Sequence, residues 1–157
     1  MKSLLTVREA TPEDVQGIYE LLVIYSRKQV VLERPHEDIL KNIDNFVIAS
    51  FDGNIRGCCA VRDFGNNLLE VRSLVVSPEL QSKGVGRAMV EAIMAGLKLK
   101  RKQFCLFALT YRKDFFHKLG FHDVLKEMFP QKIWSDCSKC PKKDHCDEDA
   151  VMIEYGY

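Results

Sequence analysis

The stretch Ser73-Leu74-Val75-Val76-Ser77-Pro78-Glu79-Leu80-Gln81-Ser82-Lys83-Gly84-Val85-Gly86-Arg87-Ala88 decides how the rest of the chain is read. An apolar, strand-like run ends at a Ser-Pro turn, a loop with two glycines follows, and the loop opens onto the longest helical pattern in the sequence. Val85, Ala88, Met89, Ala92, Ile93 and Leu97 form one stripe over Val85 to about Lys100, with Arg87 and Glu91 spaced to pair on the opposite side. A helix N-terminus presents unpaired N–H groups and partial positive charge, and glycines let a ligand approach the backbone closely. The loop therefore suits a phosphate or pyrophosphate. No G-x-G-x-x-G is present, which argues against a dinucleotide fingerprint, and no G-K-[ST] follows, which argues against an ATP loop. On spacing alone, glycines that merely permit tight helix packing remain an alternative.

Upstream, Leu4 to Arg8 reads as a short strand, and Thr11, Pro12 and Asp14 read as a helix start with a capping-box pattern. Val15, Ile18, Leu22 and Tyr25 follow at helical spacing. Arg34-Pro35 breaks the chain before a second short helix around His36 to Ile43. The period then changes to two. Phe46 to Phe51, a turn at Asp52-Gly53-Asn54 and Ile55 to Arg62 read as a hairpin, because Asp-Gly supplies the positive φ angles of a tight turn. A second turn at Gly65-Asn66-Asn67 leads to a strand over Leu68 to Val76. Downstream, Phe104 to Leu109 suits a strand buried on both faces. A helix over Lys113 to Leu119 ends at Gly120, and Phe121 to Leu125 and Ala150 to Tyr155 are the last strands. The order predicts an α/β (α+β) fold in which an antiparallel meander feeds a strand-loop-helix-strand unit.

The chain has 157 residues, 46% hydrophobic and 29% charged, which fits one domain over residues 1–157 and excludes disorder. With 23 Lys+Arg against 22 Asp+Glu there is no global basic field for nucleic acid, although Lys98 to Lys102 is locally basic. No apolar run approaches the roughly 20 residues of a membrane span, and the opening MKSLLTVREATPED is too soon interrupted by charge for a secretory signal. A cytoplasmic protein is expected, with neither nucleic acid nor membrane as partner. Of six cysteines, Cys58, Cys59 and Cys105 sit in apolar runs, and Cys137, Cys140 and Cys146 fall in a segment at about 134–149. The C-x-x-C spacing suits a metal knuckle, whose thiolates fit zinc or an iron–sulfur cluster, with a structural zinc as the expected group. Its fourth ligand is open: His145 is adjacent to Cys146, whereas His117, His122 or Asp147 would depend on the fold. Free thiols or a redox pair are the alternatives.

Two motifs carry a family resemblance. Gln81-x-x-Gly84-x-Gly86 after a strand ending in a proline turn is similar to the acetyl-coenzyme-A signature of the GNAT acetyltransferases, and Phe115-Phe116-His117-Lys118-Leu119-Gly120-Phe121 resembles that superfamily's second signature. The likeness extends from Val7-Arg8-x-Ala10-Thr11-x-x-Asp14 to the final strand. It implies a mixed central sheet with helices on both faces, and acetyl-CoA in a splay between Leu68–Val76 and Phe104–Leu109. It further implies backbone contacts to the pantetheine arm along Leu74, Val75 and Val76, and N–H groups across Gln81, Ser82, Lys83, Gly84, Val85, Gly86, Arg87 and Ala88 around the pyrophosphate. Phe116 stands beside the cofactor where many relatives carry a tyrosine that protonates the thiolate. With phenylalanine there, either the thiolate leaves without a dedicated acid, which is the expectation, or Tyr111 or a water supplies the proton; Tyr111 otherwise reads as a packing residue.

An amine attacks a thioester only when unprotonated, so a base must take its proton and a donor must stabilise the oxyanion. Glu70 matches the place where many relatives carry a glutamate base. The alternative is an exposed strand carboxylate paired with Arg72, two residues on along the same face. Within the superfamily the chain is most similar to the short, stand-alone N-acetylglutamate synthases of bacterial arginine biosynthesis. Leu32-Glu33-Arg34-Pro35, Phe46-Val47, Gly57-Cys58-Cys59-Ala60, Glu70-Val71-Arg72-Ser73-Leu74, Leu109-Thr110 and Trp134-x-Asp136-Cys137-x-x-Cys140-Pro141 carry this second likeness. It implies L-glutamate as acceptor, without a domain for arginine feedback. Two substrate carboxylates call for a guanidinium grip, for which Arg34 and Arg72 are the candidates. A homodimer is compatible with this reading, as is another acetylated amine or a non-catalytic acyl-CoA-binding module.

Overall fold

The computed structural model describes residues 5–27, 35–81, 83–126 and 149–157. Strand β1 (Leu5–Glu9) leads through a 3-10 turn (Pro12–Asp14) into helix α1 (Val15–Arg27). The helix starts where Asp14 gathers donors: Thr11 N–H at 2.7 Å and the two guanidinium nitrogens of Arg8 at 2.8 and 3.0 Å. Those bonds, Arg8 first, outweigh burial and hold the Asp14 carboxyl below its ordinary range. Helix α2 (His36–Lys41) is shorter than the sequence pattern, and a 3-10 turn (Ile43–Asn45) finishes that stretch. The hairpin of β2 (Phe46–Phe51) and β3 (Asn54–Asp63) closes through Asp52 and Gly53, at φ 52° and 82°.

Strand β4 (Leu68–Val76), helix α3 (Val85–Lys100) and strand β5 (Phe104–Thr110) form the strand-loop-helix-strand unit. Helix α4 (Lys113–His117) stops two residues short of the predicted Leu119. Leu119 N–H donates to Phe116 O and Gly120 N–H to His117 O, both at 3.0 Å, so the last turn tightens to i→i+3 bonds before Gly120, at φ 98°, redirects the chain. Strands β6 (His122–Val124) and β7 (Asp149–Tyr155) complete a seven-stranded sheet of order β1-β2-β3-β4-β5-β7-β6. Every paired neighbour is antiparallel except β4 with β5, and α3 provides the crossover that parallel strands require.

Helices cover both faces. On one, Ile18, Leu21 and Leu22 of α1 and Ile39 of α2 bury Phe46, Ile48, Cys58, Ala60 and Val75. On the other, Val85, Met89, Val90 and Ile93 of α3 meet Leu69, Val71, Phe104, Leu106 and Ala108. A third cluster, Phe107, Ala150 and Met152, extends the first face past β5. Cys58 and Cys59 are fully buried, as expected of cysteines in apolar runs, and desolvation pushes the Cys59 thiol well above its ordinary range.

The β4–β5 ladder is short. It comprises Leu68–Cys105, Leu69–Leu106 and Glu70–Phe107, after which β4 continues to Val76 and β5 to Thr110. The start of the ladder is tied down: Arg101 reaches Asp63 at 2.6 Å and Asn67 Oδ1 at 3.4 Å, and Cys105 N–H donates to Asn67 O at 2.7 Å. The two parallel strands are thus joined at one end and part at the other, leaving a wedge that opens toward the loop before α3.

Candidate active site

Beyond Glu70, β4 also changes its register with β3. Cys58 faces Val75 and Ala60 faces Arg72, so Ser73 and Leu74 together oppose Cys59. This is a β-bulge, and Ser73 occupies it at φ 52°, a sparsely populated conformation for a serine. The Cys58 thiol donates to Ser73 O at 3.4 Å. The bulge has a consequence for facing. Leu69 and Val71 point to α3, and without an extra residue Leu74 and Val76 would point away from it; with the bulge they join the α3 side while Val75 turns to α1. The backbone edge of β4 at Leu74 to Val76 therefore borders the wedge in the strand half where β5 no longer pairs with it.

The loop that follows is braced from inside. Ser77 N–H donates to Arg56 O at 2.7 Å, and a 3-10 turn spans Pro78–Leu80. The Gln81 side chain turns back and donates from Nε2 to Val76 O at 3.0 Å. Gln81 was expected among the phosphate-binding N–H donors; its N–H donates to Pro78 O at 3.3 Å, and its side chain fastens the loop to the end of β4. Gly84 is the N-cap of α3 at φ 81°, a left-handed conformation suited to glycine, and the first turn of α3 contains no acidic residue. Gly86 serves a different purpose: a Cβ there would come within 3.3 Å of the Phe115 ring, so its bareness lets α4 lie against the start of α3. The two sequence motifs thus meet at Gly86 and Phe115. Phe116 is 3% exposed, edge-on to Phe115 and Phe121 at 5.0 Å each, in the same cluster as Val71 and Ala108. Lys83 is exposed, and Arg87 pairs with Glu91 at 3.0 Å as its spacing predicted. Tyr111 is 43% exposed in the turn between β5 and α4.

Glu70 holds the last β4 position paired with β5, at the point of the wedge. Leu69 and Val71 face α3, so the Glu70 carboxylate stands on the opposite face with Phe107. It pairs with Arg72, whose Nε lies 3.3 Å from Oε1. The pairing was anticipated; the burial was not. Glu70 is only 4% exposed, which excludes a solvated surface carboxylate and puts a charged group where its interactions are strong. Across β3, Arg62 is in register with Glu70, and its guanidinium lies 4.6 Å from the centroid of the Phe64 ring. Arg62 was not singled out from sequence. The Gly65-Asn66-Asn67 turn between two strands of alternating pattern was the signal that could have placed it opposite Glu70.

Arg34, Ser82, Cys137, Cys140 and Cys146 lie outside the described residues, so the second arginine candidate and the cysteine knuckle have no structural account here. Among the described residues no group of three or more His, Cys, Asp or Glu is placed to hold a metal ion. His117 bonds Asp123 at 2.7 Å, and His122 lies 3.8 Å from Glu154. Nor is any described helix long and apolar enough to cross a membrane.

A family model for the acetyltransferase (GNAT) domain matches residues 42–123, which contain the bulge, the wedge, the braced loop and α4. The chain is 38% identical over 146 residues to an uncharacterised N-acetyltransferase of Chlorobaculum tepidum, covering 93% of this chain and 94% of that protein. It is 29% identical over 124 residues to an amino-acid acetyltransferase of Mycobacterium tuberculosis, covering 75% of this chain and 68% of the relative. Its fold matches that of N-acetylglutamate synthase from Neisseria gonorrhoeae complexed with coenzyme A and N-acetyl-glutamate, with a TM-score of 0.82 at 23% identity over 98% of this chain. The match spans 36% of that larger chain, and at this identity the likeness is one of fold. The domain match, together with a relative that is alike along almost its whole length, makes the chain a member of the GNAT acetyltransferase family.

Proposed function

We propose that the protein transfers the acetyl group of acetyl-CoA to the α-amine of an acidic amino acid, L-glutamate, by direct attack. The carrying observation is the buried Glu70 at the point of the wedge, with Arg72 3.3 Å away on the same face. In this reading the pantetheine arm lies along the backbone edge of Leu74, Val75 and Val76. The pyrophosphate sits on the N–H groups from Lys83 to Arg87, where Gly84 sets the backbone and no acidic side chain of the first helical turn opposes an anion; the Ala88 N–H, expected among these donors, is instead taken by Gly84 O at 3.0 Å.

The thioester then lies beside the bulge, and backbone N–H groups are the donors at hand for its oxygen. Glu70 takes the ammonium proton, directly or through one water, the freed amine attacks the thioester carbon, and the nitrogen's second proton passes to solvent as the C–S bond breaks. The thiolate leaves without a dedicated acid, since Phe116 is buried among aromatic rings and offers no proton. Arg72 is near enough to Glu70 to grip the carboxylate one carbon from the reacting amine. The amino-acid acetyltransferase named among the relatives supports the acceptor class.

The test is coenzyme A release by the purified full chain with L-glutamate, L-aspartate, L-glutamine, L-lysine, a polyamine and a peptide N-terminus. Glutamate is expected to give the highest kcat/KM. Equal rates on unrelated amines would overturn the acceptor, and acetyl-CoA binding without turnover on any amine would favour a binding module. Glu70→Gln is expected to lower kcat about 10²- to 10⁴-fold while acetyl-CoA affinity persists. Its remaining rate should rise with pH as free amine accumulates, and an unchanged kcat would remove Glu70 from the chemistry.

A further inference from the structure

We propose that Cys58 is a positioning residue for acetyl transfer: its thiol holds the Ser73 carbonyl in the β4 bulge and so keeps the Leu74 N–H turned into the wedge, where the thioester oxygen becomes negative. This deepens, and rests on, the acetyl-transfer reading of the same site. The direction of the Leu74 N–H follows from the strand. Ser77 N–H donates to Arg56 O on β3, and N–H groups alternate between the two edges of a strand. Those of Val75 and Ser77 therefore face β3, and those of Leu74 and Val76 face the wedge. Among the described residues Leu74 is in register with neither β3 nor β5. The carbonyl and N–H of a trans peptide point in opposite directions, so the carbonyl of the Ser73–Leu74 peptide faces β3. There the Cys58 thiol reaches it, at 3.4 Å.

The bulge has a use for such a hold. Ser73 is at φ 52°, a conformation disfavoured for any residue with a Cβ. Relaxation of Ser73 to a negative φ swings the Ser73–Leu74 peptide as a unit and takes the Leu74 N–H out of the wedge. Cys58 is wholly buried in the cluster beneath α1, so it acts through the bulge and not on a substrate. A donor aimed where charge develops favours the transition state over the bound thioester, so its loss falls on the transfer rate and not on acetyl-CoA affinity.

The experiment measures the single-turnover rate of acetyl transfer to L-glutamate in the wild-type full chain, Cys58→Ala, Cys58→Ser, Ser73→Gly and the double variant Cys58→Ala/Ser73→Gly. Cys58→Ala should slow transfer about three- to tenfold, the scale of one neutral hydrogen bond, with acetyl-CoA affinity held within about twofold. Cys58→Ser keeps a donor at the same buried place and should recover part of the rate. Glycine adopts positive φ without strain, so in the Ser73→Gly background the Cys58→Ala change should slow transfer less than about twofold. The stability lost to the emptied volume should be alike in both backgrounds, which separates positioning from packing. A second readout needs no turnover: the Leu74 amide proton resonance should differ between the coenzyme A and acetyl-CoA complexes, less so in Cys58→Ala, and be restored in the double variant. A wild-type rate and a wild-type Leu74 difference in Cys58→Ala overturn the assignment, as does equal slowing in both backgrounds. A wild-type protein that acetylates no amine overturns the proposed function itself, while the Leu74 resonance still decides the role of Cys58.

Discussion

Gly84 separates the cost of a backbone conformation from its use. It sits at φ 81° at the start of α3, and a Cβ added there would meet nothing within 4 Å. Gly84→Ala therefore introduces no clash, only the left-handed penalty of about 1–2 kcal/mol, partly offset by the lower entropy of the unfolded chain. The net loss of about 1 kcal/mol corresponds to a fall of roughly 2–4 °C in Tm for a chain of this size. Gly53 is a matched control: φ 82°, again nothing within 4 Å, but in the β2–β3 turn. Both variants should lose similar stability by calorimetry. Only Gly84→Ala should lose acetyl-CoA affinity, because relaxing the left-handed residue redirects N–H groups that follow it. Losing one charge-assisted bond there raises the acetyl-CoA KM about tenfold or more. Gly84→Asn, which tolerates the conformation better, should fall between. An acetyl-CoA KM unchanged in Gly84→Ala, with the same Tm loss as Gly53→Ala, would refute the link between this geometry and anion binding.

Two further expectations concern stability. Gly96 lies inside α3 where a Cβ meets nothing within 4 Å, so Gly96→Ala should raise stability by about 0.8–1 kcal/mol; a lower Tm would contradict this. Asp14 has its folded pKa depressed by Arg8 and Thr11, and Asp63 by the Gly65 N–H and Arg101, so both contribute stability above the ordinary carboxylate pKa near 4 and lose it as pH falls through the folded values. The urea midpoint should hold from pH 7 to about 5 and drop below about 4, with a shallower drop in Asp14→Asn; equal slopes would exclude Asp14 as a source.

Local chemistry made much of the fold readable. The Asp52-Gly53 pair gave the first hairpin, the Ser77-Pro78 turn gave the end of β4, and the 3.6 period of Val85 to Leu97 gave α3 at its observed bounds. The missing parts depend on partners distant in sequence. Ser73 carries no mark of a left-handed residue; its bulge exists because Cys58 pairs with Val75 while Ala60 pairs with Arg72. Glu70 looks like any strand carboxylate until β3, β5 and the faces of the sheet enclose it. The Gln81 side chain shows its role only once Val76 O is placed beside it. Arg62 meets Glu70 only when β3 and β4 are set in register.

The short β4–β5 ladder also means that the sheet carries an edge in its interior. Most exposed edges lie at a sheet's rim, where any extended chain can add to them. Here the edge runs along residues 71–76 and faces a gap bounded by another strand of the same sheet. An extended molecule carrying amide groups, such as a pantetheine arm, would fill that gap as a short surrogate strand, with one end anchored at the helix dipole. Binding of this kind is strand complementation between two existing strands. It would slow amide exchange along the middle of the sheet while leaving the outline of the fold as it was.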